Sequence, residues 1–290
     1  VAFLQPSQSF QSSIKIELQK PGEANPNSKI HYTLDGTIPL ESSPVYSAPL
    51  TLRGTTPVKA RLVHPKGGMG PVGSEIYFCL QRSLANFSSN LPLIVLENYS
   101  SGRPSQGDYQ TASMAVIEPA DGRSKLTSPF TAASQVGIKV RGSSTSGRSK
   151  ASLSLEVQDE IGQDRNLSLL GMPNESDWVL WGPYNFDLTL MHNPFIFELS
   201  RQIGRYAPRT RFVEVYLNTG GGTLSSADYY GVYALMEKIS RDADRVDVER
   251  LFEEHKKEPD VSGGYIFKID RSDPGDSGFG AAGQNIKYVY

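Results

Sequence analysis

The sequence predicts a β-rich α+β protein: an N-terminal β-sandwich followed by a second region of antiparallel strands and a helix. Three observations lead there. Apolar residues alternate with period two in short runs, from Ile14 to Leu18, from Ile30 to Leu34 and from Val58 to Leu62. Turn signals separate these runs at Pro21-Gly22, Asp35-Gly36 and Pro65-Lys66-Gly67-Gly68. Much later, the stretch from Leu190 to Gly204 has helical spacing, with Phe195, Leu199 and Ile203 on one face. Asn193-Pro194 lies near its start, and Gly204 serves as its C-cap.

Taken in order, residues 1–82 form the sandwich, the polar stretch 83–90 links, and residues 91–290 form the second region. Gly68-Met69-Gly70-Pro71-Val72-Gly73 satisfies GxGxxG, but with Pro71 inside it and no helix after it, it reads as a turn. In the second region, strands are expected from Leu93 to Leu96 and from Met114 to Ile117. A hairpin follows, with Val136, Ile138 and Val140 alternating on one arm and Leu153, Leu155 and Val157 on the other. Trp178 and Trp181 read as packing anchors between a Gly/Pro-containing loop and the helix. Further strands run from Arg211 to Leu217, Tyr229 to Glu237 and Gly264 to Asp270, with the glycines of Thr219 to Gly222 in a turn. Asp247 to Lys257 reads as a short, charged, solvated helix.

Composition excludes several classes. The chain has 290 residues, enough for two domains or one large one, and a formal charge of −2, which offers no global field for nucleic acid or an anionic membrane. No apolar run is long enough for a transmembrane helix. The opening VAFLQPSQSF is not an intact signal peptide, and both ends read as cut from a longer chain. Cys79 is the only cysteine, so no intrachain disulfide or Cys-based metal cluster is available. His31, His64, His192 and His255 are scattered without HxH or HExxH spacing, which argues against a histidine metal site.

The stretch from Val140 to Lys150, VRGSSTSGRSK, carries the most chemistry. It is a Gly/Ser loop between two strands with basic residues at both ends. Its backbone N–H groups and hydroxyls suit phosphates, and Lys150 neutralises charge from the next strand. It is not a P-loop, because Arg148 stands where that pattern needs Lys and a strand follows instead of a helix. Nor is it a GxSxG elbow, since the spacing and context are wrong. The plain alternative is a solvated hairpin loop. The order of elements is that of a protein-kinase small lobe: strand, Gly/Ser loop, strand with Lys150, helix with Glu198, two strands, then Leu235 to Ile239. This gives the expected sites, with Lys150 and its partner Glu198 as catalytic residues. Arg141, Ser143, Ser144, Lys150, Glu237 and Lys238 line a nucleotide. Each has an ordinary alternative, such as an exposed strand lysine or a helix-surface carboxylate paired with Arg201 or Gln202.

Two resemblances sharpen this reading. Tyr32-Thr-Leu-Asp35-Gly36, Pro39, Tyr46, Pro49 and Val58-Lys-Ala60 resemble the chitobiase/β-hexosaminidase C-terminal, fibronectin-like module. That implies an accessory module of an extracellular bacterial protein. Tyr32 and Tyr46 offer rings for glycan contact, with core packing the favoured reading. The blocks VRGSSTSGRSKASLSLEV, SDWVLWGPYNFDLTLMHN, YYGVYALMEKI and GGYIFKID resemble the CotH family of atypical secretory kinases. This implies a divergent kinase-like fold, ATP with Mg or Mn as cofactors, and transfer to Ser residues of secreted or coat proteins, outside the cell or at its surface. Asp187-Leu188-Thr189 lacks the basic residue usual before the threonine, and His192 stands in place of an Arg. The family's metal-binding aspartates are expected in the large lobe beyond Tyr290, with Asp273 and Asp276 as turn residues, so these 290 residues are expected not to catalyse transfer alone. The rival readings are a non-catalytic structural or adhesion protein on a kinase-like scaffold, and a carbohydrate-binding accessory protein.

Overall fold

A computed structural model of the protein describes residues 1–143, 145–182, 184, 187–266, 268–269, 278–280 and 287–289. The chain divides into two compact units, Val1–Phe197 with Arg209–Glu237, and Glu198–Pro208 with Lys238–Tyr290.

The first unit is built around a closed barrel of seven strands. Around the wall run Leu93–Glu97, Gln110–Ile117, Ala132–Arg141, Ser152–Gln158, Asp177–Trp181, Tyr229–Glu237 and Thr210–Asn218. Every neighbouring pair is antiparallel except the closing one, Leu93–Glu97 with Thr210–Asn218, which is parallel. The alternation seen in the sequence aims Ile94, Leu96, Val136, Ile138, Leu153, Leu155, Val213 and Val215 into one buried cluster. Each such aliphatic side chain contributes roughly 1.5–3 kcal/mol by leaving water. Trp178 belongs to that cluster and is fully buried, with its indole N–H donating to the Glu175 carbonyl at 2.9 Å. It is a strand residue of the barrel core, not an anchor between loop and helix, because the Asp177–Trp181 strand alternates into the barrel.

Residues preceding the barrel form a sandwich-like region. Lys29–Thr33, Thr56–Val63 and Gly73–Leu80 make an antiparallel sheet, with Gln8–Phe10 parallel to the last of them. Ile14–Ile16 pairs with Leu50–Leu52. Ile16, Leu52, Val58, Ala60 and Tyr77 fill the core, and Tyr32 and Tyr46 pack against it, as the core-packing reading expects. The other face of Gly73–Leu80 is also covered: Ile76, Phe78 and Leu80 pack with Leu93, Val95, Ala115 and Ile117 from the outer wall of the barrel. A strand buried on both faces explains the unbroken apolar run of Ile76 to Leu80. Thr223–Leu224, following the glycine turn, adds a parallel pairing to Cys79–Leu80. Lys59, of the Val58-Lys-Ala60 motif, is buried and donates to Gln135 Oε1 at 2.7 Å and to the Glu160 carbonyl at 2.8 Å. The stretch 83–90 is likewise built into the fold. It carries a 3₁₀ turn at Arg82–Leu84, a short strand Ser88–Ser89 paired with Ser124–Lys125, and the buried side chain of Leu84.

Two elements differ from expectation. Asp247 to Lys257 forms turns, not a helix. An isolated segment of that length is marginal as a helix, and its few apolar residues are not held in a core, Phe252 being exposed. The strand expected from Gly264 to Asp270 is confined, among the described residues, to Lys268–Ile269, which pairs with Val289 and Tyr288. The helix spans His192–Gln202 and ends as foreseen, with Gly204 at φ +78° and its N–H donating to the Arg201 carbonyl. Phe195 on the helix and Ile203 just beyond it are exposed. No helix among the described residues is long and apolar enough to cross a membrane.

Candidate functional site

Strand register brings one set of loops to one end of the barrel. Leu93–Glu97 and Thr210–Asn218 end there side by side, and Arg141 lies opposite Ser152. Trp181 opposite Ala234 and Tyr216 opposite Tyr229 complete the rim. The Gly/Ser loop after Arg141 hangs over this mouth and is tied down by the loop after Glu97. The Val140 N–H donates to the Ser105 carbonyl at 2.7 Å, the Gln106 amide donates to the Gly142 carbonyl, and the Arg103 guanidinium donates to the Arg148 carbonyl. Gly142 has φ +100°, and a Cβ there would collide with Thr145 Oγ1. A Gly142→Ala variant is therefore expected to lose about 1–2 kcal/mol of stability in urea titration, with the loop as the strained element.

Lys150 sits at the foot of this loop, half-buried. Its ammonium donates to the Val232 carbonyl and lies 4.8 Å from the centre of the Tyr233 ring. No carboxylate among the described residues of this unit forms an ion pair with it. Burial holds its pKa below the usual lysine value. The charge is thus partly stripped of water and only weakly compensated, a state that an anion relieves. Gly231, at φ +110°, leaves room for it, since a Cβ there would stand 3.4 Å from Nζ. Tyr233 donates to the Ala151 carbonyl at 3.1 Å and stacks on Tyr230, with ring centres 5.5 Å apart. The Tyr230 hydroxyl lies beside that of Tyr233, buried and without a well-formed hydrogen bond. Arg103 adds positive charge close enough to act on Tyr233.

The other expected site residues are placed as follows. Arg141 is exposed on the rim, at the end of its strand. Ser143 is exposed, and its carbonyl accepts from the Ser146 hydroxyl at 2.8 Å. Ser144 lies outside the described residues, as do Asp273 and Asp276. Glu237 is at the far end of the strand whose start forms the mouth, five residues past Val232, or about 16 Å along the sheet. Its fully buried carboxylate holds Arg209, by Nη1 at 2.7 Å and the backbone N–H at 2.8 Å. It braces the barrel wall because that carboxylate faces Arg209 and not the rim. Lys238 belongs to the second unit, where its carbonyl accepts from Arg245 at 2.7 Å. Glu198, also of the second unit, pairs with Arg201 and accepts from Gln202 at 3.0 Å, the helix-surface arrangement foreseen as its ordinary role. Arg103, Tyr230 and Tyr233 were not expected. The two tyrosines read only as strand aromatics, and Arg103 only as a loop cation. Among the described residues, no group of three His, Cys, Asp or Glu side chains is placed to hold a metal ion.

Fold and site together define a β-rich protein with a Gly/Ser loop, a half-buried lysine and a tyrosine pair at one mouth of a barrel. Residues 138–287, just over half of the chain, match the CotH kinase protein family, and residues 16–77 match the Fn3-associated family. The chain belongs to the CotH kinase protein family, with an Fn3-associated module ahead of it. The match begins within the third barrel strand, so the first two strands complete a barrel that the family region starts partway through. No curated protein matches the chain.

Proposed function

We propose that the protein is a kinase-like phosphotransferase whose barrel mouth binds the phosphates of ATP, and that it acts on Ser residues of secreted or surface proteins. The observation that carries this is Lys150, a half-desolvated cation with a carbonyl and a ring for company, beneath a Gly/Ser loop. ATP supplies the phosphoryl group when bound. Lys150 offsets phosphate charge from a fixed position, which matters because phosphoryl transfer depends mainly on positioning and electrostatics. Tyr233, stacked on Tyr230, packs beside the lysine, and Arg103 and Arg141 on the rim raise the local concentration of the anion. The kinase-like small lobe is the reading of the barrel that fits this chemistry. Its lysine follows the loop and lies two residues ahead of the Ser152–Gln158 strand, close to where that architecture carries it. Glu97 ends its strand at this mouth, with the charge of Asp228 near it, and the roles assigned here are those of the chain's own cations and hydroxyls. Family membership and the Fn3-associated module support an extracellular setting.

Replacing Lys150 by Ala is expected to weaken ATP binding at least tenfold, or about 1.4 kcal/mol. The melting temperature should hardly change, since the residue is half-exposed and without an ion pair. Calorimetric titration read beside a thermal melt checks both. Unchanged ATP affinity in a folded variant removes Lys150 from the site.

A further inference from the structure

A second cavity, of about 420 Å³, opens between the sandwich-like region and the outer wall of the barrel. It lies on the flank, among side chains that the proposed phosphate site does not use. Its polar groups are already fixed by one another. Glu75 accepts from the Ser7 backbone N–H at 2.7 Å. Arg165 donates to Ser134 Oγ at 2.8 Å and faces Glu160 at 3.5 Å, while its buried Nε has no hydrogen-bond partner. Asp159 is held by the Ile161 and Gln163 N–H groups, both at 2.9 Å. Phe130 contributes an aromatic ring, braced edge-on by Phe78 at 5.8 Å.

We infer that this cavity is a binding site for a short, uncharged saccharide. The lining sets three carboxylates, Glu75, Asp159 and Glu160, against the Arg165 guanidinium, with the buried Lys59 behind Gln135 and Glu160, and the wall, still net negative, repels phosphates and other anions. Fixed carboxylate oxygens accept from sugar hydroxyls, the partly exposed Arg165 guanidinium donates to one, and Phe130 packs against the apolar face of a sugar ring. The volume falls within the usual range for small-molecule sites, which starts near ~300 Å³. Because the walls come from both regions, the site exists only where the module is seated on the barrel.

The test is calorimetric titration of the whole chain with cellobiose, chitobiose and maltose, using spermidine and inorganic phosphate as charge controls. At least one disaccharide should bind saturably. Glu75→Gln should weaken that binding at least tenfold. Ser74→Trp fills the cavity while removing no hydrogen bond seen among the described residues, and it should abolish binding with the melting temperature retained. If no disaccharide binds at tens of millimolar, or if binding survives Ser74→Trp, the inference is overturned. Spermidine binding that is lost in the same variants, with no sugar binding, overturns it too, because the cavity would then select for charge. None of these readouts involves ATP, so failure here leaves the phosphate-site reading untouched.

Discussion

Replacing Arg209 by Ala will destabilise the barrel by about 3 kcal/mol, whereas Glu237→Gln will cost only about 1 kcal/mol. The two residues form one ion pair, but they are not equally wet. The Glu237 side chain is 0% exposed, while that of Arg209 is 35% exposed. Removing the arginine leaves a carboxylate inside the wall with little beyond the 2.8 Å bond from the residue-209 backbone. Removing the charge from Glu237 leaves a guanidinium that is already 35% exposed to water, and the amide oxygen still accepts that backbone bond. Urea denaturation of the two variants measures the difference. Equal costs would mean that the pair contributes by packing alone.

The second large effect concerns Glu97, at the end of the first barrel strand. It is 1% exposed, and its Oε2 has no hydrogen-bond partner, while Oε1 accepts from the Tyr99 N–H at 2.9 Å. Burial pushes its pKa up to about 7 from an ordinary 4.5; the Tyr99 N–H opposes this and the nearby charge of Asp228 adds to it. Because the folded-state pKa is raised, the folded protein holds the proton more tightly than the unfolded chain. The resulting stability is fully present below pH 4.5 and is lost as the pH rises to about 7. Glu97→Gln keeps the Tyr99 bond and removes the titration. The variant should match the parent near pH 4 and exceed it by about 2–3 kcal/mol at pH 8. Thermal or urea melts across that range give the answer, and a pH-independent difference would place the effect elsewhere.

The fold was legible where packing is local. The arms of the hairpin alternate because one face of each looks into the barrel, so Val136, Ile138, Leu153 and Leu155 announced themselves. The helix ends just before Gly204, the residue that the sequence marks as its C-cap, and that glycine has a positive φ. Barrel closure was not legible. It depends on Leu93–Glu97 lying parallel to Thr210–Asn218, far away in sequence, and no short-range pattern encodes such a partner. The same holds for Lys59, which is buried against the barrel wall by partners 76 and 101 residues away in sequence. At the site, Lys150 was visible because a Gly/Ser loop precedes it. Tyr230, Tyr233 and Arg103 were not, because what distinguishes them is proximity to that lysine. Glu237 looked like a rim residue because it follows an apolar strand. Only the strand's direction shows that its opposite end forms the mouth.

The central claim is that nucleotide phosphates sit against Lys150. An acyl-phosphate derivative of ATP transfers its acyl group to a neutral amine held beside the phosphates, and the lowered pKa of Lys150 favours that form. Mass spectrometry of the labelled chain locates the modified lysines. The account predicts preferential labelling of Lys150, suppressed by millimolar ATP, while exposed lysines such as Lys15 and Lys125 label weakly and regardless of ATP. Labelling of Lys150 no stronger than at those positions, or unaffected by ATP, would contradict it.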